Sequence, residues 1–413
     1  MENIKSIDDI EAIKGKKVLV RVDFNSPIDP ETGKIQDDTR IRSGARTLQN
    51  LAERGAKVIV MAHQGRPGDP DFISLEQHAE VLSKVLGRPV KFVNSIFDEA
   101  ARDAINKLNE GDILVLENTR FYSAENEERP VEEQAKTAMV QELAPLLDFY
   151  VNDAFSAAHR SQPSLVGFIK VLPSVVGYTM KEELAALTKA AGSSTEKPCV
   201  YVLGGAKPKD TLKVIEYVLE QNIADIILAS GVMGNLFLLA KGFEMGDAYR
   251  NFLSENGYLD NIGKATEVLG KFEKKIELPE DLAIEDNGQR VEVSLDELPL
   301  SKIPCDIGKK TIERFSEILN KAKTIVCNGS PGQYEKEIFA VGTKEVFSAI
   351  AESTDKGAFS VAGGGHTIAG LNKYGLLDRI SFVSTSGKAM LLLLMGEHKK
   401  LAVIEAFKAY GQS

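Results

Sequence analysis

Short β-branched runs alternate with helical patterns of about 10–15 residues along most of this chain, and few folds accept that rhythm. In the first half, runs near 17–23, 57–62, 90–93, 112–116 and 149–152 are separated by helical patterns over 40–54, 74–86, 98–108 and 131–143. Such alternation predicts βαβ units and a parallel sheet covered by helices on both faces. Val58-Ile-Val-Met is apolar at every position, as a strand buried on both faces requires. The second half repeats the pattern, with strands expected near 199–203, 226–229, 324–327, 359–361 and 380–383. A chain of 413 residues, 43% hydrophobic and 27% charged, has ample material for large cores in two or three domains. The expected class is α/β, with two Rossmann-like doubly wound parallel-sheet domains joined by a hinge. Pro173 and Gly177 interrupt the pattern just before the helix-favouring 180–187, so the junction is expected there, as a short loop feeding a helix.

In open α/β sheets, ligands bind outside the carboxyl ends of the strands. Four such ends in the first half carry the same chemistry. The first leads into Arg21, Asp23 and Asn25; the second into His63 and Arg66; the third into Arg120; the fourth into Asn152, Asp153, His159 and Arg160. Eleven of the fifteen arginines fall in residues 1–180, in a chain whose formal net charge is −10. That acidic balance argues against nucleic acid or an anionic membrane surface as a partner. A basic cradle on such a background predicts a small, multiply anionic ligand bearing phosphate or carboxylate.

The second half speaks a different polar language. Its strands run into Gly204-Gly-Ala-Lys207, Ser230-Gly231-Val-Met-Gly234, Asn328-Gly-Ser-Pro-Gly332, Gly363-Gly-Gly-His366 and Ser384-Thr-Ser-Gly-Lys388. Glycines let backbone N–H groups approach an anion, and the helix start that follows favours negative charge. Five such turns predict a nucleotide site. The chain has no GxxxxGK[ST], no GxGxxG after the first strand of either half, no GxSxG and no HExxH. Cys199, Cys305 and Cys327 have no CxxC or His/Cys pairing, which predicts reduced thiols in a cytoplasmic protein. His78 and His398 read as ordinary helix or surface residues. Met1 leads into charged residues, so no signal peptide is expected, and the apolar stretch 389–395 is too short to span a bilayer.

RVDFNSP (21–27), HQGRP (63–67), LENTRF (116–121), VNDAFSAAHR (151–160), LGGAK (203–207), NGSPGQYE (328–335), GTKEV (342–346), GGGHT (363–367) and VSTSG (383–387) resemble phosphoglycerate kinase, in that family's order and over essentially the whole chain. Pro208 after the lysine and His366 after the triple glycine are similar to its archaeal branch. The resemblance implies an N-terminal domain, 1–175, that binds 3-phosphoglycerate or 1,3-bisphosphoglycerate. It implies a C-terminal domain, 176–394, that binds ATP or ADP with Mg2+, and a tail, 395–413, that packs back on the first. Phosphoryl transfer between these substrates, with hinge closure through 173–181 and 384–389, is the implied activity. Arg40 and Lys207 are the implied catalytic residues. Asp23, Asn25, His63, Arg66, Arg120 and Arg160 join Arg40 around the glycerate substrate. Gly204, Gly205, Lys207, Gly231, Asn328, Glu335, Gly363, Gly364, Gly365, His366 and Thr367 are implied on the nucleotide side.

Three positions depart from the commoner family pattern. Thr211 stands where a second lysine is usual, His366 where a metal-associated aspartate is usual, and Ser384–Ala389 where three glycines run together. Mg2+ prefers oxygen ligands, so the expectation is an ion held mainly by nucleotide phosphates and water. Lys388 is a candidate for the charge missing at Thr211, with Lys209 and Lys213 as alternatives. Another acyl-phosphate-forming carboxylate kinase, or a non-catalytic binding protein of the same fold, would share the cradle and the glycine turns. Family members occur as monomers and homodimers, and the sequence does not choose between them.

Overall fold

The computed structural model describes residues 4–192 and 194–411. Two compact units divide the chain: the described residues of Met1–Ala185 with those of Glu397–Ser413, and Ala186–Gly396. The division falls inside the helix Tyr178–Ala191.

In the first unit, β1 (Lys17–Val22), β2 (Lys57–Met61), β3 (Lys91–Phe92), β4 (Ile113–Val115), β5 (Phe149–Asp153) and β6 (Ser174–Val176) form one sheet. All neighbours pair in parallel, in the order β3-β4-β2-β1-β5-β6. Both faces are covered, because both sets of alternating side chains are apolar. Val18, Val20, Val58, Val60, Val115 and Val151 pack into one core with Ile41, Leu48 and Leu51 of the helix Thr39–Glu53. Leu19, Ile59, Leu114 and Tyr150, at the alternate positions, are buried as well. The segment expected as a loop before the second unit contains β6; three residues between a proline and a glycine are too few to give a strand pattern. The helix expected over 131–143 is broken into Val131–Gln134 and Ala138–Leu143. Between them the Thr137 hydroxyl donates to the Gln134 carbonyl at 2.7 Å, competing with helical hydrogen bonding. The helix Ala402–Tyr410 packs within this unit, with the Val403 amide donating to the Ala158 carbonyl at 3.0 Å.

The second unit carries β7 (Cys199–Leu203), β8 (Ile226–Ala229), β9 (Ile276–Glu277), β10 (Asp281–Asp286), β11 (Gln289–Ser294), β12 (Asp306–Ile307), β13 (Thr324–Asn328), β14 (Phe359–Gly363) and β15 (Phe382–Val383). Six of these make a parallel sheet, β15-β14-β13-β7-β8-β9. Counted among themselves, their order is 3-2-1-4-5-6, the doubly wound arrangement. The remaining three form an antiparallel sheet, β11-β10-β12, that is missing from the sequence expectation. Its signal was present: Asn287-Gly288 between two β-rich runs is a strong hairpin turn, and both residues have positive φ, 50° and 79°. Among the described residues, no helix is long and apolar enough to cross a membrane.

The strands at the centre of each parallel sheet, β1/β5 and β7/β13, are those whose onward connections run to opposite edges of the sheet. These switch points are where a crevice opens at the carboxyl ends. Asp153, the last residue of β5, is buried and accepts the Met180 amide at 3.0 Å near the start of the helix Tyr178–Ala191. Burial pushes its carboxyl up to about 7 from an ordinary value of 3.8. The folded state therefore binds a proton that the unfolded chain has released between those values, and stability falls as pH rises through the window. Asp153→Asn is expected to flatten the stability profile between pH 4 and 7, measured by urea unfolding; an unchanged slope would contradict this assignment.

Candidate functional site

The carboxyl ends of β1, β2, β4 and β5 bring the basic residues together. Arg21, at 1% exposure, donates from Nε to the Ser164 hydroxyl at 2.8 Å. Its Nη2 lies 3.1 Å from His63 Nδ1. A guanidinium only donates, so Nδ1 is the acceptor and the imidazole proton sits on Nε2. Burial, then the charges of Arg21, Arg120, Arg160 and Arg40, holds His63 well below its usual range, as a neutral ring. Arg120 donates to the Gly65 carbonyl and is pushed down to about 10 by burial and then by Arg160 and Arg21. Arg160 is lowered by burial and then by Arg66 and Arg21. Guanidinia that lower one another are concentrated positive charge, and a multiply charged anion among them would relieve the repulsion.

Acidic and amide side chains aim this cluster. Asp23 Oδ2 accepts Arg40 Nη1 at 2.7 Å and the Ser156 hydroxyl, while Oδ1 accepts the Asn25 amide at 3.0 Å. Asn25 Oδ1 accepts the Gly65 amide at 2.8 Å, tying the β1 and β2 loops together. Gly65 has φ 66°, and a Cβ there would lie 2.4 Å from the Asp71 carbonyl oxygen. Beneath Arg21 sits Glu125, wholly buried, 3.9 Å from Nη2 and accepting the Ser164 amide at 2.9 Å. Burial raises its carboxyl and Arg21 opposes that shift. The sequence places Arg21 in the cradle by its strand end, whereas nothing local marks Glu125: Ala124-Glu-Asn-Glu-Glu reads as a solvated run.

In the second unit the loops after β7, β13, β14 and β15 stand in a row. Gly204 and Gly329 touch backbone to backbone; a Cβ on Gly329, which has φ 97°, would fall 2.3 Å from the Gly204 carbonyl carbon. Gly329→Ala is expected to destabilise this unit by about 1–3 kcal/mol, read as a lower urea midpoint; an unchanged midpoint would mean the loops part freely. Asn328 Nδ2 donates to the Gly363 carbonyl at 2.9 Å, and Thr367 Oγ1 accepts the Gly329 amide at 2.8 Å. These two candidates thus knit neighbouring loops. Steric reasons also cover several glycines. A Cβ on Gly204 would lie 2.5 Å from the Ser330 carbonyl oxygen and one on Gly363 2.1 Å from Met390 Sδ, while Gly205, Gly231 and Gly364 have φ of 74°, 54° and 91°. Gly365 differs: its φ is ordinary and nothing lies within 4 Å of where a Cβ would be. It opens the helix Gly365–Lys373 with its surface clear for close approach.

Lys207 is exposed at the start of the helix Pro208–Glu220. Thr211 is buried and its hydroxyl donates to the Lys207 carbonyl at 3.0 Å, so this side chain turns back on its own helix. Exposed His366 and Glu335 pair, Nδ1 to Oε1, at 3.2 Å. Among the described residues, no three His, Cys, Asp or Glu side chains gather as a metal site.

A family model described as phosphoglycerate kinase matches residues 7–397. A phosphoglycerate kinase of Methanothermobacter thermautotrophicus is 47% identical over 393 residues, covering 95% of this chain and 94% of the relative. One from Thermococcus kodakarensis is 46% identical, covering 96% and 95%. The crystal structure of phosphoglycerate kinase from Pyrococcus horikoshii shares 44% identity with a TM-score of 0.88 over 98% of both chains. The structure of phosphoglycerate kinase from Coxiella burnetii shares 29% identity with a TM-score of 0.84, covering 99% of this chain and 100% of its own.

Proposed function

Since the chain belongs to the phosphoglycerate kinase family, we propose that it transfers a phosphoryl group reversibly between 1,3-bisphosphoglycerate and ADP, giving 3-phosphoglycerate and ATP. The observation that carries this reading is the cluster of arginines around a neutral, Nε2-protonated His63. It suits a small molecule with a phosphate at one end and a carboxylate or acyl phosphate at the other.

Such a transfer passes through a loose transition state and calls for alignment and charge neutralisation, with no covalent nucleophile. Arg66, Arg120, Arg160 and the His63 Nε2–H hold the glycerate end, and Asp23 and Asn25 meet its hydroxyl and carboxylate. Arg40, steadied by Asp23, offers a fork to the transferring group that lysine could not match. Lys207 offers a compact charge from the nucleotide side. The Gly365 N–H and the dipole of the helix it opens suit the nucleotide phosphates. The first domain, with its C-terminal helix, takes the glycerate substrate and the second takes the nucleotide. Water must be excluded, because the acyl phosphate would otherwise hydrolyse. Closure through 173–181 and 384–389 brings the substrates together. Scattering that gave no compaction with both substrates bound would contradict this.

Mg2+ fits the nucleotide loops as an ion carried largely by phosphates and water. The loop residues 204–207, 328–335, 363–367 and 384–389 contain one carboxylate, Glu335, and the imidazole of His366 is poorly matched to so hard an ion. When bound, the ion supplies charge neutralisation at the phosphate oxygens. Free Cys199, Cys305 and Cys327 suit a reducing compartment, the cytoplasm. A coupled assay with 3-phosphoglycerate, ATP and Mg2+ is expected to give saturable turnover. ATP binding without turnover would transfer the reading to another acyl-phosphate-forming kinase.

A further inference from the structure

Lys388 breaks a local electrostatic rule. It occupies the first turn of the helix Gly387–Leu394, where the helix dipole disfavours a cation. A second helix start lies beside it: the position of a Cβ on Gly387 is 3.6 Å from the Cα of Gly364, which precedes Gly365–Lys373. The Ser384 amide donates to the Ala362 carbonyl at 2.8 Å, fixing the two loops against each other. Lys388 is exposed and, among the described residues, makes no ion pair, although acids outnumber bases 60 to 50 in this chain. By contrast, Lys309, in the first turn of its own helix, is 3.7 Å from Glu313. A lysine set between two positive helix ends without a carboxylate is unfavourable in isolation and favourable beside an anion; departures of this kind concentrate at functional sites.

Its place in the sheet says which anion. The order β7-β13-β14-β15 puts Lys207 and Lys388 at the two ends of the row of loops, with their strands about 14 Å apart at three interstrand steps. The open face of Gly365 lies between them. Thr211, turned back on its helix, cannot add a second charge from the β7 side. We propose that Lys388 is a phosphate-binding residue of the nucleotide site, supplying from the β15 loop a second cation for the terminal phosphates of ADP and ATP. This rests on the nucleotide reading given above.

The test is calorimetric titration of the full chain with ADP and, separately, with AMP. Lys388→Ala is expected to weaken ADP binding about tenfold or more and leave AMP binding unchanged, with Lys388→Arg retaining most of the ADP affinity. Removing an exposed lysine from a helix start is expected to leave the thermal midpoint of the unliganded chain unchanged or slightly raised, which thermal unfolding followed by circular dichroism verifies. An ADP-to-AMP affinity ratio equal to that of the wild type would overturn the proposal and leave the site reading intact. Equal losses for both ligands would also overturn it, because the defect would then lie in the loops. A wild-type chain that bound neither ligand would remove the nucleotide reading itself, and this inference with it.

Discussion

Arg40→Ala is expected to lower turnover by about 10³-fold or more while ADP affinity stays at the wild-type value. The side chain is 37% exposed and, among the described residues, its one ion pair is with Asp23, which keeps the Ser156 hydroxyl and the Asn25 amide as partners. The fold therefore has little to lose. The reaction has much to lose, because a planar, permanently charged fork is what neutralises a transferring phosphoryl group, and preorganised charge acts on the transition state more than on bound substrate. Arg40→Lys should recover only a small part, since a point charge cannot make two parallel contacts. The coupled assay reads both variants, and an alanine variant within tenfold of wild type would remove Arg40 from the chemistry.

Glu125→Ala acts on stability instead. Arg21 sits at 1% exposure, so deleting the carboxylate 3.9 Å from its Nη2 leaves a buried, uncompensated cation. The Ser164 amide loses its acceptor at the same time. Together these are expected to cost about 3–5 kcal/mol, seen as a lower urea midpoint for the first unit. A loss below about 1 kcal/mol would mean that water reaches Arg21 and screens it. Because Arg21 fixes the His63 tautomer, surviving protein should also bind 3-phosphoglycerate more weakly.

The parts of this fold that were legible are those with a local signature. The cores of β1, β2 and β7 follow from runs rich in β-branched residues with helical patterns between them. Short elements such as β6 and β9 have no period to read, and the break at Thr137 depends on one hydroxyl. The antiparallel sheet has one local signal, Asn287-Gly288, set within a chain whose dominant pattern is the alternation of strand and helix. In the candidate site, the motif residues lie on loops at the carboxyl ends of the parallel strands. What each side chain does there is set by tertiary contacts: Arg21 meets Ser164 across 143 positions, and Asn328 meets Gly363 across 35. No spacing rule reaches that far, so Glu125 stayed hidden among surface acids. The bracing work of Asn328 and Thr367 was equally invisible.

The second unit is one uninterrupted stretch, Ala186–Gly396, whereas the first is resumed after it by the helix Ala402–Tyr410. On a ribosome the order of completion is therefore inverted. The nucleotide-type unit can finish folding while the earlier unit still waits for Val403, Ile404 and Phe407 to cover its apolar surface and for the Val403 amide to reach Ala158. During that interval the older half of the nascent chain is the one with exposed hydrophobic surface, and it is the half that chaperones would hold longest.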